Sequence, residues 1–271
     1  LYSSAASDVY KRQWQGKGMT AHLSDAALAL ALAEQAGHLL MQLRADGPTR
    51  FGPDPAALGA AGDLASNQLL LEGLARARPD DAILSEESPD SPARLSARRL
   101  WIIDPLDGTR EYSAGRDDFA VHVALLADGQ LAAGAVTQPA IGRAVATDAP
   151  PPLPAEASPL RITISRSRPP ALAQRLADTI DATLIPMGSA GAKTLAVLHG
   201  EADAYLHLGD MNEWDSAAPA AVALAAGLSV TRLDGSALAF NQRRPLTPDI
   251  LICHPGQRAR LLAAIAPFLP Y

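Results

Sequence analysis

The chain has 271 residues, of which 48% are hydrophobic and 19% charged, and its formal net charge is -6. This balance is that of a folded protein, and the length allows one large domain or two smaller ones that share an interface. The acidic charge argues against a nucleic-acid polymer as partner, because such binding needs a basic surface. No run of about 18 apolar residues occurs, so we expect no membrane partner.

The first residues are set apart from the rest. Residues 1–18 show no periodicity, precede Met19 and lack the apolar core of a secretory signal. We interpret them as a non-native or disordered leader, with Met19 as the start. The single cysteine, Cys253, lies in an apolar run and has no second cysteine to pair with, which fits a reducing compartment. We therefore expect a cytoplasmic location.

Two helices are predicted at the beginning of the folded part. Leucines recur at helical spacing from a cap at Ser24 to a stop at Gly47-Pro48. A second helix is predicted from Gly62-Asp63 to about Arg78, where Pro79 follows. In the second helix, Leu70, Leu71 and Leu74 lie on one face.

A sheet is predicted after these helices. The apolar run 82–84 stops just before Glu86, and the run 100–103 stops at Asp104. The runs 119–126 and 131–136 flank the turn Asp128-Gly129, which predicts a hairpin and an antiparallel sheet. Residues 19–148 are therefore predicted to form an α+β part.

A proline-rich segment, residues 149–159, separates this part from the remainder and is the predicted linker. After it, residues 160–271 alternate apolar runs with helical patterns, which is typical of an α/β layer. The predicted strands are 162–164, 182–186, 202–206, 228–231 and 250–253, and the predicted helices are 169–181, 190–199, 215–226 and 256–268.

Acids follow two of the predicted strands, and Asp107 comes three residues after Asp104. Carboxylates at strand ends can converge on one point, and Mg²⁺ prefers such oxygen ligands. Taken alone, the string Asp104-Pro105-Leu106-Asp107-Gly108 is equally compatible with a surface turn. The buried run Trp101-Ile102-Ile103 in front of it favours a site at the mouth of a strand.

Four elements together resemble a known family. W-I-I-D-P-L-D-G-T at 101–109 is similar to the first signature of the inositol-monophosphatase superfamily, and W-D-S-A-A at 214–218 is similar to the second. Glu86-Glu87 and Asp63 stand where that family has an acidic pair and an acid at a helix start. The resemblance covers residues 24–269. It implies a layered αβαβα sandwich and Mg²⁺-dependent, Li⁺-sensitive phosphatase activity.

The resemblance also implies roles for individual residues. One metal ion is implied to bind Glu86, Asp104 and the carbonyl of Leu106, and a second to bind Asp104, Asp107 and Asp215. Asp63 with Glu86 is implied to support a third, so two to three Mg²⁺ ions are expected. Thr109 and Asp63 are implied to orient and deprotonate the attacking water, with Glu86 the third catalytic residue. The resemblance further implies a homodimer.

Three segments resemble the branch of 3′(2′),5′-bisphosphate nucleotidases, also called the CysQ type. They are D-G-T-R-E-Y at 107–112, S-R-S-R at 165–168 and G-S-A-G-A-K at 188–193. Each segment alone also fits a purely structural role. Together they favour 3′-phosphoadenosine 5′-phosphate as the small phosphorylated metabolite that is hydrolysed, giving AMP and phosphate. The implied substrate-binding residues are Gly108, Thr109, Arg110, Ser165, Arg166, Gly188, Ser189 and Lys193.

Two alternatives to this prediction remain. The first is the same chemistry on inositol monophosphate or fructose 1,6-bisphosphate. Against inositol monophosphate, Leu208 stands where inositol phosphatases have a glutamate, seven residues before Asp215. The second is a non-catalytic nucleotide or Mg²⁺ sensor. A sensor has no need of the water-activating pair Thr109 and Asp63, which argues against it.

Overall fold

Two long helices precede the first sheet in the computed structural model, which describes residues 22–51 and 54–269. Helix α1 is Asp25–Arg50, and Ser24 Oγ accepts a hydrogen bond from the Ala27 N–H at 3.1 Å. The helix runs past the predicted stop at Gly47, since Gly47 packs on Leu58 and tertiary contact overrides its low helix propensity. The predicted leader, residues 1–18 with Met19, lies outside the described residues.

Helix α2 is Pro55–Ala77 and begins seven residues before the predicted start. Asp54 caps it by accepting from the Ala56 N–H at 2.9 Å, and Pro55 takes the first helical position. The prediction that Asp63 begins a helix is therefore wrong, because Asp63 lies inside α2. The close packing around position 62 favours glycine, because a Cβ there would lie only 3.0 Å from a Tyr112 ring carbon and 3.1 Å from a Leu106 methyl carbon.

The first sheet has the strand order β1-β2-β3-β4-β5. Its strands are β1 (Ala82–Ser85), β2 (Arg99–Asp107), β3 (Ala120–Ala127), β4 (Gln130–Gln138) and β5 (Arg143–Ala146). The pairs β2–β3, β3–β4 and β4–β5 are antiparallel, but β1 runs parallel to β2. The prediction of a fully antiparallel sheet is wrong for β1, because residues 86–98 cross over and return the chain in the same direction.

Alternation along β2 decides where its acids point. Trp101 and Ile103 pack in the cluster formed with α1 and α2, whereas Leu100 and Ile102 pack on the opposite face. By the period of two, Asp104 follows Ile102 on that second face. The strand then continues to Asp107 through a bulge instead of the predicted turn. Pro105 is accommodated there because a bulge needs no ladder N–H.

The second sheet has the order β7-β6-β8-β10-β9 and is mixed. Its strands are β6 (Leu160–Ser165), β7 (Ala182–Met187), β8 (Ala204–Asn212), β9 (Ser229–Thr231) and β10 (Leu246–Cys253). The remaining helices are α3 (Thr109–Ser113), α4 (Ala173–Ile180), α5 (Ala190–Leu198), α6 (Glu213–Ala225) and α7 (Arg258–Ile265). The predicted strand and helix alternation of this half is confirmed.

Three buried clusters define five layers. Helices α1 and α2 cover the outer face of the first sheet, and α5 and α6 fill the space between the sheets. Helices α4 and α7 cover the outer face of the second sheet. The αβαβα sandwich is confirmed.

Residues 149–159 connect the two sheets, but a domain boundary there stays a prediction, because the middle cluster draws on both halves. Across the described residues, no helix is long and apolar enough to span a bilayer.

Candidate metal centre

Three carboxylates meet between the sheets. One oxygen from each of Asp104, Asp107 and Asp215 lies within 4.8 Å of the other two. Asp104 is 1% exposed, and its Oδ1 accepts the Leu106 N–H at 3.0 Å. Its Oδ2 is buried and has no hydrogen-bond partner in the described part of the chain. A buried carboxylate oxygen without a donor, facing two further acids, fits a cation as its missing partner.

Asp215 is presented by the beginning of α6. The helix begins at Glu213 with Asn212 as its N-cap, so the predicted start at residue 215 is wrong by two residues. Asp215 Oδ2 accepts the Asn212 N–H at 3.0 Å, which fixes the carboxyl on the first turn. Asp215 thus serves as a helix cap and still faces Asp107.

Asp107 accepts more hydrogen bonds than Asp104 or Asp215. Its Oδ2 accepts from Ser189 Oγ at 2.5 Å and from the Gly191 N–H at 3.0 Å, and His122 Nε2 lies 3.2 Å away. Burial raises the pKa of Asp107, but His122, Lys193 and the Ser189 hydroxyl outweigh it and lower that pKa to about 2. Asp107 is therefore held as a carboxylate.

The other acids repel one another. The pKa of Glu86 is raised to about 7 by partial burial of its carboxyl and by the charge of Asp215. Burial and Glu86 raise the pKa of Asp104 well above its usual range. Burial and Asp107 raise that of Asp215 to about 6. A bound cation relieves this repulsion, so the electrostatics favour a metal at this place.

Glu86 reaches the cluster through the parallel pairing of β1 with β2. Ser85, the last residue of β1, pairs with Ile103, so Glu86, which follows the strand, lies beside Asp104. The loop after β1 is held by Asn67 of α2, whose amide accepts from Ser85 Oγ at 2.7 Å and donates to the Glu87 carbonyl at 3.3 Å.

Asp63 and Thr109 form a second feature of the site. Thr109 Oγ1 lies 3.1 Å from Asp63 Oδ1 and 3.2 Å from the carbonyl oxygen of Leu106. Gly108, at φ +92°, turns the chain from β2 into α3 and so brings Thr109 to α2. Burial and the charge of Glu87 raise the pKa of Asp63 to about 7. This carboxyl can accept a proton near neutral pH.

The loop at residues 188–193, which was predicted to bind substrate, donates hydrogen bonds to two aspartates of the protein itself. The Gly188 N–H donates to Asp118 Oδ2 at 2.6 Å, and Ser189, at φ +25°, caps α5 and donates to Asp107. A Cβ on Gly188 would lie 2.3 Å from Glu111 Cγ, so the loop packs too closely for a side chain. A role of Gly188 and Ser189 in binding substrate stays a prediction.

The predicted basic residues occupy different environments. Lys193 is buried, and its Nζ donates to the Gly188 and Ser189 carbonyls at 2.6 and 2.7 Å, so it lies beneath the surface of the site. Burial lowers its pKa to about 8, against the charge of Asp107. Arg166 donates to the buried carboxylate of Glu111 while 39% of its side chain stays exposed. Arg110 is exposed on α3.

Ser165 lies at the end of β6, where its Oγ accepts the Arg168 N–H at 3.1 Å.

Sequence reasoning missed three polar residues around the site, namely Glu111, Asp118 and His122. Their partners, Arg166, Gly188 and Asp107, come from distant parts of the chain. Glu111 stood in the segment D-G-T-R-E-Y but was given no role, and His122 gave a signal because it is a single titratable residue in an otherwise apolar strand on the same face as Ala120 and Ala124.

Comparison with known proteins gives consistent results. Residues 23–270 match the Inositol monophosphatase family. A 3′-phosphoadenosine 5′-phosphate phosphatase of Mycobacterium leprae is 46% identical, covering 94% of this chain and 96% of its own length. The protein of the same name from Mycobacterium bovis is 50% identical, with 85% and 89% covered. The crystal structure of CysQ from Bacteroides thetaiotaomicron superposes with a TM-score of 0.74 at 24% identity, covering 86% and 98% of the two chains.

Proposed function

Because this chain belongs to the inositol monophosphatase family, we propose that it is a Mg²⁺-dependent phosphatase that hydrolyses 3′-phosphoadenosine 5′-phosphate to AMP and phosphate. The observation that carries the proposal is the approach of Asp104, Asp107 and Asp215 within 4.8 Å, with Asp104 Oδ2 unpartnered. The names of the Mycobacterium relatives support the choice of substrate.

The proposal extends to individual metal ligands, and the approach of Asp104, Asp107 and Asp215 supports one of the sets. We assign Glu86, Asp104 and the Leu106 carbonyl to one ion, and Asp104, Asp107 and Asp215 to a second. Asp63 with Glu86 is assigned to a third, more weakly bound ion. When bound, Mg²⁺ supplies Lewis-acid chemistry that offsets the charge of the carboxylates and of the phosphoryl oxygens.

The remaining chemistry belongs to side chains. When the Thr109 hydroxyl donates its hydrogen to Asp63, its lone pairs are free to accept a hydrogen bond from the attacking water. Asp63 is placed to take up a proton through Thr109, because one of its carboxylate oxygens lies 3.1 Å from the Thr109 hydroxyl. Thr109 thus orients the water, and the Asp63 carboxylate holds the proton.

Substrate selection is assigned to the end of β6. The phosphate that is not cleaved needs cationic donors outside the metal cluster. Arg166 is half-exposed and paired with Glu111, so a phosphate competes with that carboxylate for the guanidinium. Ser165 precedes it, and Arg110 is exposed on α3. These residues favour a bisphosphate over a monophosphate. A homodimer, a cytoplasmic location and the absence of nucleic-acid and membrane partners stay predictions.

A phosphate-release assay tests the proposal. Purified protein is incubated with 3′-phosphoadenosine 5′-phosphate, inositol 1-phosphate and fructose 1,6-bisphosphate, each with Mg²⁺, with excess chelator and with added Li⁺. We expect release to be fastest from the nucleotide, to stop with chelator and to fall with Li⁺. Full activity in excess chelator contradicts the metal proposal, and equal rates on all substrates contradict the nucleotide specificity.

A further inference from the structure

Two charged side chains that the proposed reaction does not use are wholly buried. Arg94 is 1% exposed in the short 3-10 helix Pro92–Ser96, which lies between β1 and β2. Glu213 is 0% exposed and is the first residue of α6, two positions before Asp215. Burying a charge is costly unless hydrogen bonds replace its water, so each of these groups must be satisfied by the protein.

Both groups bind the same two residues. The Glu213 carboxylate accepts the N–H groups of Asn241 and Gln242 at 2.7 and 2.8 Å. Arg94 donates to the side-chain oxygen of Asn241 at 2.7 Å and to the carbonyl of Gln242 at 2.9 Å. The Asn241 side chain returns a bond to the Arg94 carbonyl at 3.1 Å. Asn241 and Gln242 are thus held from both halves of the chain.

The ends of this network lie next to candidate metal ligands. Arg94 also binds both carboxylate oxygens of Asp90, at 2.7 and 3.0 Å, and Asp90 belongs to the loop that begins with Glu86. At the other end, Glu213 lies in the helical turn that presents Asp215. A continuous polar path therefore joins the segment carrying Glu86 to the segment carrying Asp215.

We propose that Asp90, Arg94, Asn241 and Glu213 form a brace that fixes the spacing of Glu86 and Asp215 and so sets the affinity of the acidic cluster for a divalent cation. The brace residues are positioning residues, since they act through the two ligands. Groups behind metal ligands are known to tune affinity, because a cation with strict geometry loses binding energy when its ligands shift. The inference rests on the metal site of the proposed function.

Two conservative substitutions test the brace. Arg94→Lys keeps the charge but loses the planar guanidinium, whose several N–H groups bind Asp90 and residues 241–242 at the same time. Glu213→Gln keeps the shape but offers an amide N–H to one backbone N–H. For both variants we expect about 10-fold weaker binding of Mn²⁺ to the metal-free protein by calorimetry, and a similar rise in the Mg²⁺ concentration for half-maximal rate. We expect little change in kcat at saturating Mg²⁺.

A control comes from a second arginine–aspartate pair, in which Asp203 is buried and 35% of the Arg161 side chain is exposed. Arg161 binds Asp203 through two nitrogens, at 2.9 and 3.0 Å, near the beginnings of β6 and β8. Ser165 and Asp215 lie at or beyond the opposite ends of these strands. Arg161→Lys is expected to lower the thermal midpoint and to leave Mn²⁺ affinity unchanged.

The possible outcomes separate the two proposals. If the brace variants bind Mn²⁺ as the wild type does and differ only in thermal midpoint, the brace is structural and the inference is overturned. If the wild-type protein itself binds no Mn²⁺, the metal site of the proposed function fails instead. Where Glu213→Gln or Arg94→Lys prevents folding, Asn241→Gly carries the test, because it removes the side-chain bonds to Arg94 and glycine adopts the φ of +60° at this position without strain.

Discussion

The hydroxyl of Thr109 lies 3.1 Å from a carboxylate oxygen of Asp63, although the two residues are 46 positions apart in the sequence. Helix α2 supplies the acid, and the glycine turn after β2 supplies the hydroxyl. The contact therefore depends on how α2 packs against α3. Under the proposed function, a group at this contact is expected to act on the attacking water more than on the binding of the substrate.

The first prediction concerns this contact. Thr109→Ala is expected to lower kcat about 10²-fold and to leave KM nearly unchanged, because the lost hydrogen bond acts mainly in the transition state. Steady-state kinetics on 3′-phosphoadenosine 5′-phosphate measures both constants. Thr109→Ser keeps the hydroxyl and is expected to retain most of the rate. An alanine variant with normal kcat would mean that another group orients the water.

The second prediction concerns Asp104. Asp104→Asn keeps the size of the side chain but halves its capacity as an oxygen ligand, so the rate is expected to fall at least ~10²-fold. Metal binding to the variant, measured by calorimetry, is expected to weaken in parallel. Asp178→Asn, on the exposed surface of α4, is the matched control and should change neither. Unchanged metal affinity in Asp104→Asn would remove Asp104 from the ligand set.

The third prediction concerns substrate preference. The ratio of kcat/KM for 3′-phosphoadenosine 5′-phosphate over inositol 1-phosphate is expected to be ~10² or more, as one charged hydrogen bond allows. Arg166→Ala is expected to reduce that ratio by about tenfold or more, chiefly by slowing the bisphosphate. Arg98→Ala removes a surface ion pair with Asp128 and serves as the control. An Arg166→Ala variant that slows both substrates alike would favour a broad sugar phosphatase.

The fourth prediction concerns acid stability. Burial raises the pKa of Asp118, but the Arg116 guanidinium and the Gly188 N–H outweigh it and hold that pKa below its usual value. A lowered folded-state pKa stabilises the fold above the unfolded value and loses this effect as the pH falls. Asp118→Asn is therefore expected to lower the thermal midpoint at about pH 6, with the gap to wild type closing towards about pH 3. A gap that stays constant over this range would contradict the assignment.

The fifth prediction concerns Gly191. A Cβ at this position would lie 2.3 Å from His122 Nε2, 2.7 Å from Ala120 Cβ and 2.9 Å from Val136 Cγ1. Gly191→Ala is expected to reduce the free energy of unfolding by about 1–3 kcal/mol, as overpacking does. Gly47→Ala, where the added atom meets Leu58 at 3.4 Å inside α1, is expected to stabilise slightly. Denaturant unfolding of both variants checks the contrast.

Strand-end patterns predicted that Glu86, Asp104 and Asp107 lie together, whereas Asp215 was assigned to the cluster by the resemblance to the family. Asp104 follows a buried strand, and Asp215 stands in the first turn of a helix whose alanines face the middle layer. Strand alternation and helix caps are readable from neighbouring residues, so these features needed no tertiary information. The beginning of α2 was missed because Gly59 and Gly62 suggest a loop, whereas in the fold they allow α2 to pack closely on α3.

Contacts between distant residues were beyond sequence reasoning. Lys193 was predicted as a substrate ligand, yet it lies buried beneath its own loop, since its ammonium satisfies the carbonyls that the turn leaves free. Arg94 and Glu213 carried no local signal of this network, because the groups of Asn241 and Gln242 that they bind are 147 or 148 residues and 28 or 29 residues away. Such pairings are decided by how the two sheets stack, which no short pattern encodes.

The shared middle layer makes each half of the chain an incomplete folding unit. The inner face of the first sheet has no cover of its own, since α5 and α6, which lie against it, are encoded after residue 159. A chain cut within residues 149–159 would yield two fragments that each expose this apolar surface. Recovery of phosphatase activity on mixing would then report reassembly, because the acids of the site come from both fragments.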